Sequence, residues 1–347
     1  PAGGPYHSGS RRVAIVAQSA VWPLVRGESP LNSREIRAVG RENPGSHSPG
    51  GCGSARFSSG VQLWLRWIQR IERLISWLPL SDRFRQDRPR PVGIRGTMRT
   101  AIISDIHANL PALETVLADI ESAGVDRIFC LGDVIGYGPE PRECLQLSQK
   151  FEVNLLGNHE EAVLFDPIGF NPRAKAAVEW TKQQLMSSDR PREENAALWK
   201  HLDSMKETHE EGNIFLAHGT PREPTREYLF VQDCKDDPAK VNELFQSYGP
   251  STAFVGHTHV AGIFAEGPRF ITPKEVGGKY QLGSGNLIIN VGSVGQPRDG
   301  DPRASYVIVE QDQVEFRRIA YPIEETMRRF KRTPLPENLA LRLTEGR

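Results

Sequence analysis

Apolar positions follow a regular pattern from Met98 onward and a much less regular one before it. Short apolar runs alternate with stretches in which apolar residues recur every three or four positions, which predicts buried strands separated by amphipathic helices. Strands are predicted at 101–104, 126–131 and 152–155, and helices at 109–122 and 139–149. This β-α-β alternation is typical of a parallel sheet covered by helices.

The pattern changes in the second half of the chain. Residues 171–207 are predicted to form a helical insert with a polar side, and strands follow at 213–217 and 252–255. From residue 260 to residue 318 the pattern predicts strand after strand, ending in a hairpin of strands at 305–310 and 314–320. A last helix is predicted at 323–332. Residues 98–347 are therefore expected to form one α/β domain.

Residues 1–97 are rich in Gly, Pro, Ser and Arg, contain no Lys and show little periodicity. They are predicted to be a low-complexity, disordered N-terminal extension. Within it, residues 61–78 place Trp64, Trp67 and several Ile and Leu residues at helical spacing opposite arginines, which predicts a basic amphipathic helix. Two interpretations stay open. The extension precedes the natural start of the protein near Met98, or it is a regulatory or membrane-docking segment.

Charge is distributed unevenly, although the formal net charge of the 347 residues is zero. Residues 1–97 contain 15 Arg and 6 acidic residues, a net charge of +9, so the rest of the chain has a net charge of −9. An acidic domain argues against nonspecific binding of nucleic acid, and no nucleic-acid partner is expected.

The cysteines and the apolar segments give information about the cellular compartment in which the protein is expected. The 4 cysteines are scattered and lack CxxC spacing, which predicts neither a disulfide framework nor a structural zinc site. No transmembrane segment is predicted, because charged residues interrupt the longest apolar-rich stretch at 61–80. The first residues show no secretory pattern. A reducing, cytoplasmic location is therefore expected.

Five short motifs hold most of the side chains that can bind metal, and each follows an apolar run that predicts a strand. They are Asp105-Ile106-His107, Gly132-Asp133, Gly157-Asn158-His159-Glu160, Ala217-His218-Gly219 and Gly256-His257-Thr258-His259. In extended backbone, residues i and i+2 project to the same side, so Asp105 and His107 can bind one ion together, as can His257 and His259. Open α/β sheets build their sites at such strand ends. The motifs therefore predict a metal centre.

The predicted ligands are carboxylate, amide and imidazole groups without thiolate, a mixture that favours Mn, Fe, Zn, Co or Ni over Ca or Mg. Asp133 supplies a carboxylate that can bridge two ions. Two ions about 4 Å apart can polarise a phosphoryl group and activate water for in-line attack on phosphorus. A general acid is then needed for the leaving alkoxide, and His159, next to Asn158, is the candidate.

Between Met98 and about Tyr321, the motifs DxH, GDxxG, GNHE, AHG and GHTH occur in the order found in the calcineurin-like metallophosphoesterase superfamily. The chain resembles the small bacterial and archaeal phosphoesterases of that superfamily. The resemblance implies a four-layer αββα sandwich, in which two mixed β-sheets lie between helices. It also implies two divalent transition-metal ions. One is expected on Asp105, His107 and His259 and the other on Asn158, His218 and His257, with Asp133 bridging them.

The sequence departs from the protein phosphatases of that superfamily after Asp133, where it lacks their Asp-Arg pair. The carboxylate that would orient His159 and an arginine that would bind phosphate are both absent there, which disfavours protein phosphatase activity. Arg298 is the candidate replacement, because Arg matches phosphate bidentately. Tyr137 and Arg222 are further candidate substrate contacts. Glu160 is either an acceptor of hydrogen bonds behind the predicted ligands or a helix N-terminal charge, and the second interpretation is favoured because carboxylates favour helix starts.

The combined expectation is a dinuclear metal-dependent phosphoesterase that hydrolyses a small soluble phosphomonoester or phosphodiester with metal-activated water. Two alternatives stay open. A nucleotide-specific hydrolase, such as one acting on dinucleoside polyphosphates, would differ only in pocket residues between 166 and 250. A noncatalytic scaffold would use the metal structurally, and loss of a ligand would favour it, but all 7 predicted ligand positions are filled.

Overall fold

The computed structural model describes residues 98–249, 252–283 and 285–347. The predicted extension at 1–97, including its helix at 61–78, lies outside the described residues. The described strands, in chain order, are β1 (Thr100–Ile103), β2 (Arg127–Cys130), β3 (Val153–Asn154), β4 (Thr208–Glu211), β5 (Ile214–Ala217), β6 (Thr252–Val255), β7 (Gly262–Ala265), β8 (Arg269–Ile271), β9 (Lys279–Gln281), β10 (Leu287–Asn290), β11 (Ala304–Glu310) and β12 (Gln313–Ile319).

The described helices are mostly short. In chain order they are α1 (Leu110–Ser122), α2 (Pro141–Ser148), α3 (Asn158–Leu164), α4 (Pro172–Leu185), α5 (Arg192–Asp203), α6 (Asp233–Asp236), α7 (Pro238–Phe245), α8 (Ile323–Phe330) and α9 (Asn338–Leu341). The longest of them has 14 residues, fewer than the roughly 20 that a membrane-spanning helix needs. No helix in the described ranges qualifies as a membrane span.

The strands form two mixed sheets of six strands each. The order is β3-β2-β1-β11-β12-β9 in the first sheet and β4-β5-β6-β10-β7-β8 in the second. In the first sheet β1, β2 and β3 are parallel, and β11 joins β1 antiparallel. In the second sheet β5, β6 and β10 are parallel. Each sheet therefore has a parallel part whose carboxyl ends share one edge.

Three apolar cores hold four layers together. Side chains of both sheets, including Ile102, Phe129, Phe254 and Ile289, meet in a buried core between the sheets. Helices α1, α2, α4 and α5 pack on the outer face of the first sheet. Helix α7 packs on the outer face of the second, through Val241, Leu244 and Phe245. The predicted four-layer αββα sandwich is confirmed.

Most of the predicted elements are present, with ends shifted by one or two residues. The segment 171–207 forms two helices, α4 and α5, whose Val178, Leu185, Leu198 and Leu202 belong to the core on the first sheet. The predicted hairpin is β11 and β12, paired from Ala304↔Ile319 to Glu310↔Gln313. Strand β4 and helices α6, α7 and α9 were not predicted. The sequence of β4, THEE, is polar and β4 lies at a sheet edge.

Candidate metal centre

The five motifs lie together because each follows the carboxyl end of a parallel strand. Asp105 and His107 follow β1, Asp133 follows β2, and Asn158 follows β3 in the first sheet. His218 follows β5, and His257 and His259 follow β6 in the second sheet. The structure brings all seven side chains to one place between the two sheet edges, and six of them are buried.

The side chains form two groups that Asp133 joins. In the first, His259 Nε2 lies 3.1 Å from His107 Nε2 and 3.0 Å from Asp105 Oδ1. In the second, His218 Nε2 lies 3.1 Å from Asn158 Oδ1 and 3.0 Å from His257 Nδ1. Asp133 Oδ2 lies 3.7 Å from His107 Nε2 and 3.4 Å from His218 Nε2, between the groups.

Backbone carbonyls fix which ring nitrogen of each histidine carries the proton. The Nδ1 atoms of His107, His218 and His259 lie 3.2, 3.1 and 2.6 Å from the carbonyls of Ile135, Leu131 and Gln296. His257 is reversed, with Nε2 3.2 Å from the carbonyl of Arg226. Because the outward nitrogen must donate its N–H to the carbonyl, the inward nitrogen of each ring presents a lone pair whenever that ring is neutral.

Lone pairs and carboxylate oxygens consequently face one another at hydrogen-bond distance. The Nε2 atoms of His107 and His259 face each other at 3.1 Å. Asp105 Oδ1 is buried without a hydrogen-bond partner among the described residues. Acceptors about 3 Å apart are spaced like neighbouring ligands of an ion bound at roughly 2.0–2.2 Å. Acceptors this close repel one another, and a cation bound among them would remove that repulsion because each acceptor would coordinate it. The residues therefore fit divalent metal ions.

Burial and charge act together on the titration of these groups. Burial lowers the pKa of His257 to about 3 and lowers the pKa of His107 and His259 as well. Burial also disfavours the charged form of His218, but the Asp133 carboxylate stabilises that form more strongly and raises the pKa of His218 to about 9. In the absence of an ion a proton on His218 balances Asp133, and a metal would replace that proton.

The backbone of the ligands is strained. Asp105, His107, Asp133, His257 and His259 have φ of 54°, 49°, 52°, 66° and 62°, in the left-handed region that non-glycine residues seldom adopt. Such conformations cost of order 1–3 kcal/mol each and gather at functional sites. The predicted extended backbone is therefore wrong for these pairs. His257 belongs to the second group of side chains and His259 to the first. Asp105 and His107 both belong to the first group, where Asp105 Oδ1 lies 3.8 Å from His107 Nε2.

Glu160 holds the Asp133 loop in place. It is fully buried, and its carboxylate accepts hydrogen bonds from the backbone N–H groups of Asp133 (2.7 Å), Ile135 (3.0 Å) and Gly157 (3.0 Å). Asp133 Oδ1 in turn accepts the N–H of His159 at 2.9 Å. The structure supports the interpretation of Glu160 as a hydrogen-bond acceptor behind the predicted ligands, because two of its three partners lie in the Asp133 loop.

His159 and Tyr137 lie against the first group of ligands. The ring of His159 is 4.9 Å from the ring of His107 and 4.4 Å from that of Tyr137. His159 is buried, and its Nδ1 has no hydrogen-bond partner among the described residues. Burial lowers the pKa of His159 to about 4. No described carboxylate forms an ion pair with it.

The two candidate arginines are placed differently. The guanidinium carbon of Arg298 lies 5.8 Å from the centre of the Tyr137 ring, and Nη2 donates to Gln296 at 2.8 Å. Its Nε is buried without a partner in the described structure. Arg222 instead pairs with Glu227 and with Glu243, and it does not line the cavity beside the ligands.

Arg226 and Tyr228 are among the cavity residues that sequence reasoning missed. A cavity of about 340 Å³ opens beside Asn158 and His257, and Arg226 and Tyr228 form part of its wall. Both lie between β5 and α6, where the chain has no helix or strand. Because the segment lacks periodicity, the sequence contained no signal that would have placed them at the site.

Comparison with known proteins agrees with this geometry. Residues 98–313 match the family model of the calcineurin-like phosphoesterase superfamily domain. An uncharacterized protein of Methanocaldococcus jannaschii is 37% identical over 258 residues, covering 71% of this chain and 98% of that protein.

Solved structures agree as well. The crystal structure of a metallophosphoesterase from Sphaerobacter thermophilus is 38% identical, with a TM-score of 0.62, and the match covers 72% of this chain and all of that one. A hypothetical protein from Pyrococcus horikoshii shares the fold at 18% identity, with a TM-score of 0.57 over 72% of this chain and 99% of that one. The chain belongs to the calcineurin-like phosphoesterase superfamily.

Proposed function

We propose that the protein is a dinuclear metal-dependent phosphoesterase that hydrolyses small phosphomonoesters or phosphodiesters. The observation behind this is the convergence of imidazole nitrogens and carboxylate oxygens in two groups joined by Asp133. Asp105, His107 and His259 would hold one ion, and Asn158, His218 and His257 the other, with Asp133 shared. Such ions, when bound, polarise the phosphoryl group and lower the pKa of water.

The protein's own residues would prepare the site for that chemistry. The backbone carbonyls behind the histidines fix the tautomers, and Glu160 fixes the Asp133 loop, so no reorganisation is needed when substrate binds. Arg298 has an unpaired, buried Nε and stands over Tyr137, where it would donate hydrogen bonds to phosphoryl oxygens. Arg222 is a weaker candidate, since two carboxylates already pair with it.

His159 would protonate the leaving alkoxide. It lies beside the ligands with a free ring nitrogen, and it is neutral at neutral pH until an anionic substrate raises its pKa. We expect His159→Gln to lower kcat by about 10²–10⁴-fold for alkyl phosphates, whose leaving groups need a proton. The loss should be under about 10-fold for p-nitrophenyl phosphate, whose leaving group does not. Equal losses for both, measured at saturating metal, would exclude this role.

Metal dependence is the test of the proposed function. The protein would be stripped with a chelator, then assayed on chromogenic phosphomonoesters and phosphodiesters after addition of Mn²⁺, Ni²⁺, Zn²⁺, Co²⁺ or Mg²⁺. We expect stripped protein to be inactive and at least one transition metal to restore activity better than Mg²⁺. Activity that persists after chelation, with metal content verified as zero, would refute the proposal. So would a metal-loaded protein that hydrolyses no ester.

The noncatalytic alternative is disfavoured by the filled set of predicted ligands and by Arg298, whose buried Nε has no hydrogen-bond partner among the described residues. We also propose a cytoplasmic location, which the free thiols of Cys130, Cys144 and Cys234 support.

A further inference from the structure

The cavity of about 340 Å³ beside the metal centre has a wall that the metal chemistry does not explain. Asn158 and His257 form part of its wall, so an ester group of a phosphate bound at the predicted ligands would have room in it. Its volume is at the lower end of the range for small-molecule sites. The cavity can therefore hold one compact ester group of the substrate.

Aromatic rings form much of the wall. Tyr137, Phe170 and Tyr228 all line the cavity. Tyr228 stacks on His257, with ring centres 3.7 Å apart and planes at 27°, and Phe170 meets the ring of His159 edge-on at 4.9 Å. Each of the three rings therefore packs against a histidine of the site, Tyr137 and Phe170 against His159 and Tyr228 against His257. Rigid aromatic walls favour planar aromatic ligands, which gain stacking contacts at little cost in entropy.

Tyr228 is held in place yet remains accessible. Its side chain is 38% exposed, and Phe230, which is 47% exposed, stacks on it with planes at 5° and centres 5.1 Å apart. Large apolar side chains that stay exposed at the edge of a site indicate a binding surface. The pair extends the aromatic wall from His257 outward to the solvent.

The charges in the cavity argue against a second phosphate group there. Arg226 is the one cationic side chain among the described cavity residues, and its Nε and Nη2 donate hydrogen bonds to the Glu161 carboxylate, at 2.6 and 2.7 Å. Asp166 adds a further carboxylate to the wall. A polyphosphate chain would meet a negative surface in this cavity, whereas a neutral ring bearing polar edge groups would meet hydrogen-bond partners.

Building on the proposed function, we propose that the cavity binds a planar aromatic ester group of the substrate, such as a nucleobase, and that Tyr228 determines this specificity. The favoured substrates would then be phosphate esters of nucleosides or similar aromatic alcohols. Polyphosphate substrates would be disfavoured in this cavity.

Adenosine 5′-monophosphate and ribose 5-phosphate test the proposal, because they share the same leaving alkoxide and differ in the base. If only diesters are hydrolysed, the methyl esters of both compounds serve instead. We expect kcat/KM to be roughly 5- to 150-fold higher for the adenosine compound, the range that stacking of one base supplies. Tyr228→Leu should bring this ratio close to one, and Tyr228→Phe should keep it.

Phe165→Leu is the matched control, because Phe165 is 67% exposed and does not line the cavity. It should leave the ratio unchanged. A wild-type ratio near one, or an unchanged ratio in Tyr228→Leu, would overturn the proposal. Metal-dependent hydrolysis of both compounds at equal rates would refute the aromatic site alone. Absence of any metal-dependent hydrolysis would refute the proposed function as well.

Discussion

Asp133→Asn is expected to lower kcat/KM by at least about 10³-fold, which corresponds to the loss of roughly 4 kcal/mol of transition-state stabilisation. Asp133 is the side chain between the two ligand groups, 3.7 Å from His107 and 3.4 Å from His218. The amide removes a negative charge from the shared position. If its NH₂ takes the place of Oδ2, it also presents a donor where a cation is to bind.

The variant should remain folded. Asn can still accept the N–H of His159 through its oxygen, in place of Asp133 Oδ1, and Glu160 still binds the backbone of the loop. We therefore expect an unchanged circular dichroism spectrum and a lower metal content by mass spectrometry. The combination of lost activity, lost metal and retained fold distinguishes a ligand from a residue that only supports folding.

Asp189→Asn is the matched control, since Asp189 is exposed in the connection between α4 and α5. It should keep both activity and metal content. An Asp133→Asn variant with wild-type kcat/KM would show that the shared carboxylate plays no part in the reaction, and the dinuclear proposal would be abandoned.

The sequence predicted the fold best where apolar periodicity is strong. Helix α1 begins one residue after its predicted start because Asn109 caps it and accepts the N–H of Ala112. The hairpin of β11 and β12 was predicted because two strand patterns flank the polar residues 311–313, and in the structure the turn shortens to two residues, since Glu310 pairs with Gln313. Strand β4 was missed because it is polar and is held at the edge by pairing with β5 and by an ion pair from Glu211 to Arg127.

The candidate site was predicted in its composition but not in its detail. The motifs at strand ends indicated which side chains converge, since parallel strands bring their carboxyl ends together. Left-handed backbone at Asp105 and His107 could not be predicted, because tertiary contacts impose it against local preference. Tyr228 could not be predicted either, because its position depends on stacking against His257 and not on any local pattern.

Gly295→Ala is expected to destabilise the protein by more than about 3 kcal/mol, which is the upper range for single substitutions. A Cβ at residue 295 would lie 1.8 Å from the carbonyl oxygen of Ile106 and 2.6 Å from its carbon. Backbone atoms cannot move aside as a flexible side chain would. The loop after β10 would have to separate from the loop after β1.

That separation would also reach the metal centre. The N–H of Gly295 donates to the carbonyl of Asp105 at 2.9 Å, and the carbonyl of the next residue, Gln296, accepts from His259 Nδ1 at 2.6 Å. Displacing residues 295 and 296 would therefore move Asp105, and it would remove the hydrogen bond that fixes the tautomer of His259. We expect weaker metal binding together with the lower stability.

Urea unfolding of Gly295→Ala and of Gly249→Ala, each with and without added metal, measures both effects. A Cβ at Gly249 would have open space around it. The free energy of unfolding of Gly249→Ala should therefore differ from that of the wild type by no more than about 0.5 kcal/mol, as for other surface substitutions. The stabilisation by metal should be smaller for Gly295→Ala than for Gly249→Ala, because the free energy that a bound ligand adds grows with the logarithm of its affinity for the folded state. A Gly295→Ala variant as stable as wild type would show that the two loops do not pack this closely, and the positioning of Asp105 would need another explanation.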